Sequence, residues 1–240
     1  MKVIVNGANG YMGRLTVEEF EKAGHNVVAK IDTNGEGFLR SFDEVKESAD
    51  LLVDFSIHTT AKAVCDYALK NNIPVVIATT GHTEEEKSYI YAAAKSLPVF
   101  YSGNMSFGIA LVIDFAKKAA KAFPDADVEI LEKHHNRKVD APSGTALMLA
   151  ESVKSVRENS EIVCGRYGSH KREKGEIGIA SLRLANVVGE HEVIIATPTQ
   201  TLSLTHQAHD RRLFAEGTVK AAEYLIGKNA GIYDITTMAQ

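Results

Sequence analysis

The sequence is poor in cysteine, with only Cys65 and Cys164, which are far apart and in no CxxC or Cys/His spacing. That excludes a disulfide framework and a thiolate zinc site, and it reads as two buried free thiols in a reducing compartment. An excess of positive charge is also missing. The formal net charge is −4, which argues against a general nucleic-acid binder. No apolar run approaches the roughly 20 residues needed to span a bilayer. The opening MKVIVNGANG enters a strand directly, without a charged region followed by an apolar core. A cytoplasmic protein that binds neither membrane nor nucleic acid is expected. Internal repeats, low-complexity tracts and long Pro/Gly linkers are absent too. With 45% hydrophobic residues, the chain can fill one large core or two modest ones.

The first half alternates strand and helix signals. Lys2 to Asn6 is a short apolar run that stops at Gly7-Ala8-Asn9-Gly10-Tyr11-Met12-Gly13. Leu15, Val17, Phe20 and Ala23 are then spaced for one buried helix face, and Gly24 closes the helix. Strands are expected over 25–31, 49–56, 74–78 and 98–101, with helices over 60–71 and 84–95. Continuous apolar strands between helices predict a Rossmann-like parallel sheet covered on both faces. Gly7, Gly10 and Gly13 follow the first strand and open the first helix, where backbone N–H groups could face a pyrophosphate. Asp32 ends the second strand, nineteen residues after Gly13, where an acid could bind ribose hydroxyls. The blander reading is a tight turn that holds nothing. Asp32 would repel a 2′-phosphate and Thr33 supplies no charge to attract one. Lys30 lies on the same side as Asp32, where an ion pair is as good a reading as a phosphate contact. NADH is favoured over NADPH, with NADPH left open.

The second half reads as an α+β domain. A helix over 107–123, with Ser106 as its cap, precedes strand-like stretches at 127–132, 177–184, 192–197 and 201–207. Several alternate apolar and polar residues, as a mixed or antiparallel sheet with one covered face would. A helix over 144–157 interrupts them, and from Arg212 the chain turns helical again and returns to the first domain. The expected division is 1–104 with 213–240 for a dinucleotide, and 105–212 for substrate binding and oligomerisation, joined by hinges near 104 and 212.

Between these elements lies HHNRKVDAPSGTA, residues 134–146. Two histidines, an arginine and a lysine within five positions repel one another, so negative charge must compensate them. Ser143 suits a helix cap, and Gly144 and Thr145 supply the first N–H groups of a helix ready for a carboxylate. The combination suits a small dicarboxylate meeting a proton donor. Each piece has a blander reading: His134 and His135 as filler, Arg137 solvated or paired with Asp140, Ser143 as a cap alone. Metal ligation is disfavoured, because no Asp, Glu or Cys at ligand spacing accompanies the histidines.

EKHHNRKVDAPSGTA resembles the signature of the 4-hydroxy-tetrahydrodipicolinate reductase (dihydrodipicolinate reductase) family, enzymes of lysine and diaminopimelate synthesis. GANGYMG, DFS at 54–56, ATTG at 78–81, NMSFG at 104–108, VVGEHEV at 187–193 and THQAHDR at 205–211 extend the resemblance over essentially the whole chain. The resemblance implies that His134 and Lys138 form an acid–base pair. It implies that His135, Lys138, Ser143, Gly144 and Thr145 hold substrate carboxylates. It further implies nucleotide contacts by Gly7, Gly10, Tyr11, Met12, Gly13, Asp32, Ala78, Thr79, Thr80, Gly81, Asn104, Met105, Ser106 and Phe107. A homotetramer built through the second domain's sheet, and a cleft that closes between domains, are implied as well. Two departures stand out: Arg183-Leu184-Ala185 where the family usually reads Arg-Gly-Gly, and Ile57-His58-Thr59 without the usual proline. Two other classes remain open: a related NAD(P)-dependent dehydrogenase acting on another acidic imine or semialdehyde, and a non-catalytic nucleotide sensor.

Overall fold

The structure, a computed structural model, describes residues 1–239. In chain order the strands are β1 (Lys2–Asn6), β2 (Asn26–Ile31), β3 (Leu51–Asp54), β4 (Val75–Ile77), β5 (Pro98–Tyr101), β6 (Asp127–His134), β7 (Glu161–Cys164), β8 (Glu176–Arg183), β9 (Gly189–Thr197), β10 (Gln200–Ala208) and β11 (Gly231–Tyr233). The helices are α1 (Tyr11–Lys22), α2 (Ala61–Asn71), α3 (Glu84–Ala93), α4 (Phe107–Ala122), α5 (Gly144–Lys154), α6 (Arg212–Leu225) and α7 (Ile235–Met238). They form two compact units, Met1–Ser106 with Arg211–Met238, and Phe107–Asp210. Among the described residues no helix is long and apolar enough to cross a membrane.

The first unit is built on a six-stranded parallel sheet in the order β11-β5-β4-β3-β1-β2. Alternation along each strand supplies both of its buried faces. Ile4, Leu52, Val75, Ile77 and Val99 pack with Val64, Cys65 and Ala68 of α2 and Ile90 and Ala93 of α3. Val3, Val5, Val53, Val76 and Phe100, equally buried, take the opposite direction, where α1 and α6 lie against the sheet and each other. Gly217 of α6 passes so near the Met105 carbonyl that a Cβ there would overlap it. The chain runs outward from β1 to β2, then returns to β3 on the other side of β1. Such a reversal opens a crevice at the carboxyl ends of the strands, the usual ligand position of open α/β sheets.

The second unit carries a five-stranded sheet in the order β10-β9-β6-β8-β7. It is mixed: β10/β9 and β9/β6 run antiparallel, β6/β8 and β8/β7 parallel. One face is covered, with Val128, Ile130, Ile177, Ile179, Val193 and Ile195 packing on α4 and on Ala146, Leu149, Ala150 and Val153 of α5.

Two strands were not expected from the sequence. β7 has four residues and β11 three, too short for alternation to stand out from their polar flanks. Cys164 therefore ends an edge strand. It is exposed while Cys65 is buried, so the expectation of two buried thiols holds for one. Burial pushes the Cys65 thiol up to about 12, leaving it chemically inert.

Candidate active site

Alternation along β6 accounts for the polar cluster. Val128, Ile130, Glu132 and His134 share one side of the strand, and all four are buried. The first two join the apolar core, and the last two bring a carboxylate and an imidazole to the end of the same face. A buried carboxylate is costly unless paired and hydrogen-bonded. Arg183, at the end of β8 and opposite His134 in the parallel ladder, donates from both terminal nitrogens to Glu132, at 3.0 and 2.8 Å. The Ser143 N–H donates to Glu132 Oε1 at 3.2 Å, and His134 Nδ1 bonds Oε2. Burial works against the Glu132 charge, but the hydrogen bonds from Arg183, Ser181 and His134 hold its pKa below the usual carboxylate range.

His134 is held neutral. Burial pushes its pKa down, the Glu132 carboxylate opposes this, and the charges of Lys138 and Arg183 push it further down. A neutral imidazole donating from Nδ1 to a carboxylate leaves Nε2 as the bare nitrogen. Nε2 lies against Gly189, where an added Cβ would stand 3.1 Å away. His191 of β9, also buried, meets the His134 ring edge-on at 5.1 Å and shares a 3.2 Å hydrogen bond from its Nε2 with Ser143 Oγ. Burial, followed by the neighbouring His134, pushes its pKa down to about 3.

Beyond His134 the chain leaves the sheet on a loop seated on residues 183–185. Leu184 N–H donates to His134 O at 2.7 Å, Asn136 N–H to Ala185 O at 3.2 Å, and Arg183 to Asp140 O at 2.5 Å. Ala185 takes a left-handed φ of 39°, a conformation ordinarily left to glycine. Lys138 Nζ pairs with Asp140 Oδ1 at 2.8 Å, and that hydrogen bond lowers the Asp140 pKa. Arg137 donates to Asn186 Oδ1 at 2.8 Å, and of its two blander readings the pairing with Asp140 is taken by Lys138 instead. Ser143 caps α5, its Oγ accepting from Ala146 N–H at 3.2 Å, and a Cβ built on Gly144 meets open space. The negative charge demanded by the cationic segment is thus partly the chain's own. Lys138 pairs with Asp140 and Arg183 with Glu132, whereas Arg137 bonds the neutral Asn186 amide, so three cations stand against two carboxylates.

In the first unit, Gly7 and Gly10 lie in the turn from β1 into α1, and Tyr11, Met12 and Gly13 open the helix that follows. Gly7 has φ +77°, and a Cβ on Gly13 would overlap the Gly7 carbonyl, so this turn admits no side chain at either position. Gly10 caps α1 without a side-chain hydrogen bond, leaving the helix N-terminus to other partners. A cavity of about 410 Å³ opens here, lined among others by Gly7, Gly10, Asp32, Thr33 and Arg40. Asp32 accepts from Asn9 N–H at 3.0 Å and Asn34 N–H at 2.9 Å. Lys30 pairs with Glu21 at 3.1 Å, so the ion pair with Asp32, one of its two readings from the sequence, is not formed. Arg40, unmarked in the sequence, donates to the carbonyls of Asp32 at 3.2 Å and Gly35 at 2.5 Å. A bare helix N-terminus, a turn closed to side chains and an acid at the next strand end fit a dinucleotide. Ala78, Thr79, Thr80 and Gly81 follow β4, and Asn104, Met105 and Ser106 follow β5, at the same carboxyl edge of the sheet. They do not line this cavity, and Phe107 opens the second unit. Thr79 instead donates to the buried Asp54 carboxylate at 2.6 Å, which also accepts from Asn6 and Ser56. Among the described residues no group of three or more His, Cys, Asp or Glu side chains could hold a metal ion.

Comparison with known proteins matches both units. The family model for the dihydrodipicolinate reductase N-terminus covers residues 1–105, and that for its C-terminus residues 108–238. A 4-hydroxy-tetrahydrodipicolinate reductase from Caldanaerobacter subterraneus is 43% identical over 249 residues, covering 100% of this chain and 98% of the relative. One from Clostridium novyi is 43% identical over 242 residues, covering 97% and 95%. The solved structure of a dipicolinate-bound dihydrodipicolinate reductase from Paenisporosarcina sp. TG-14 superposes with a TM-score of 0.80 at 25% identity, covering 98% of this chain and 97% of that one. With both halves matched and close relatives aligned end to end, this chain belongs to the dihydrodipicolinate reductase family.

Proposed function

We propose that the chain reduces 4-hydroxy-tetrahydrodipicolinate to tetrahydrodipicolinate at the expense of a reduced nicotinamide dinucleotide. The observation that carries this reading is the cationic loop and α5 N-terminus built over the buried Glu132–His134 pair, a receptor for a small dianion with a proton-exchanging group beside it. Dipicolinate, the ligand named for the Paenisporosarcina structure, is such a dianion. The reaction removes a hydroxyl as water and adds one hydride, and so consumes one proton.

The two units divide this work. Gly7, Gly10, Gly13 and Asp32 would hold the dinucleotide, whose reduced nicotinamide supplies the hydride when bound. Tyr11, Met12, the 78–81 segment and residues 104–107 are proposed as further nucleotide contacts. His135, Lys138, Ser143, Gly144 and Thr145 would bind the carboxylates. A bound dianion raises the proton affinity of His134, which with Lys138 then serves as the acid–base pair. NADH is the favoured cofactor, because Asp32 repels a 2′-phosphate. Arg40, the cation in the same cavity, already spends its guanidinium on two carbonyls. A homotetramer through the second sheet and a cytoplasmic location complete the proposal.

The test is a coupled assay at neutral pH, in which the substrate is generated in situ from pyruvate and aspartate semialdehyde with NADH and NADPH in parallel. Substrate-dependent cofactor oxidation, faster with NADH, is expected. Nucleotide binding without oxidation would favour the sensor, and oxidation with another imine or semialdehyde only would favour the related dehydrogenase.

A further inference from the structure

We infer that Glu132, clamped by Arg183, is the positioning residue of the acid–base site: it fixes the His134 ring through Nδ1, so that Nε2 is the nitrogen that exchanges protons. This deepens the reductase reading and rests on it for its catalytic meaning. Three observations support it independently of that reading.

First, the Glu132 carboxylate is completely buried, and its oxygens are shared among Arg183, the Ser181 side chain, the Ser143 N–H and His134 Nδ1. A group so placed has no freedom to meet a ligand, and acts only through what it holds. Secondly, what it holds is the whole polar end of the β6 face. His134 takes its orientation from Glu132, and α5 starts where the Ser143 N–H donates to it. Arg183 then links it to the Asp140 carbonyl of the loop that bears Lys138. Thirdly, the rest of the ring is packed without a side chain capping Nε2: His191 meets the ring edge-on, and Gly189 presents no Cβ to that nitrogen, where one would stand 3.1 Å away. The groups that set the charge state of His134 are therefore Glu132, Arg183, Lys138 and His191. Of these, Glu132 favours the imidazolium, Arg183 and Lys138 oppose it, and His191, neutral, adds bulk.

The two members of the clamp should consequently move His134 in opposite directions. Glu132→Gln removes the charge that favours its protonation, and Arg183→Gln removes one that opposes it. The experiment is nitrogen-15 NMR of the full-length protein labelled at histidine, titrated between pH 4 and 9, combined with the pH profile of kcat/KM. In the unmodified protein His134 should carry its proton on Nδ1. Glu132→Gln should shift the ionisation down by about one unit and lower kcat by tenfold or more, with KM and nucleotide affinity within about twofold. Arg183→Gln should shift it up. Glu132→Asp, which restores charge but not reach, should return the ionisation towards its starting value. A His134 tautomer and ionisation unchanged in both variants would overturn the inference, and Glu132 would then be only a packing group. If Glu132→Gln does not fold, the upward shift in Arg183→Gln still decides it, since an unmoved ionisation there overturns it equally. Because the NMR readout needs no turnover, an inactive chain with the expected shifts would sink the reductase reading and spare this one.

Discussion

At the scale of single residues, Ala185 carries an unusual backbone burden. An L-residue in the left-handed region costs roughly 1–2 kcal/mol, part of which glycine avoids at an entropic cost of its own. The conformation is retained because the Ala185 carbonyl accepts from Asn136 and the preceding Leu184 holds His134 O, so relaxing it would unseat the loop of Lys138. Ala185→Gly should therefore stabilise the protein by about 0.5–1 kcal/mol, read as a melting temperature higher by a few degrees. A lower melting temperature would contradict the strain assigned to this position. His134, Lys138 and Ser143 were legible because they sit together in the chain. The groups that hold them were not: Arg183 and His191 lie 51 and 48 positions from Glu132 and Ser143 respectively, and only sheet pairing brings them near. Glu132 itself stood in the quoted signature, but its burial follows from β6 facing α5, which the linear sequence does not display.

At the scale of elements, the turn from β1 into α1 is the most constrained piece of the first unit. A methyl at Gly13 would overlap the Gly7 carbonyl, and the turn can relieve this only by moving α1 away from β1. Gly13→Ala should weaken nucleotide binding at least tenfold, measured by calorimetry, while leaving far-ultraviolet circular dichroism unchanged. Unaltered affinity would remove this turn from the nucleotide site. The long elements of both units were readable from periodicity and caps, among them α4, α5 with Ser143 at its head, and the strands that alternate cleanly. Strand direction was less legible. The second sheet pairs β8 parallel to β6 and β9 antiparallel to it, and alternation is the same in either case. β7 and β11 were missed because, unlike the equally short but buried apolar runs of β3, β4 and β5, they are half-exposed segments at the sheet edges, where so few residues carry no pattern.

At the scale of the whole molecule, four histidines share one response to acid. His82, His134, His191 and His206 all have pKa values lowered by burial, His191 to about 3. In the unfolded chain each takes up a proton near its ordinary value of about 6.5. Between that value and the folded one the unfolded state binds more protons, so stability is full above about pH 6.5 and falls as the pH drops. The lowered carboxylates Glu19, Glu132 and Asp140 add a loss of the same sign, beginning only below their ordinary range near 4. The melting temperature should be flat between about pH 7 and 8 and decline already between pH 6.5 and 5, with a shallower decline in His191→Gln. An unchanged slope in that variant would show that His191 does not contribute.

If the first unit binds the nucleotide and the second supplies the proton chemistry, as proposed, Lys138→Ala separates the two functions. Turnover in the coupled assay and NADH affinity by fluorescence titration would be measured on the same preparation. Turnover should fall on the order of 10²–10⁴-fold, with the NADH dissociation constant within about twofold. A comparable loss of NADH binding, or turnover that survives the substitution, would contradict that division.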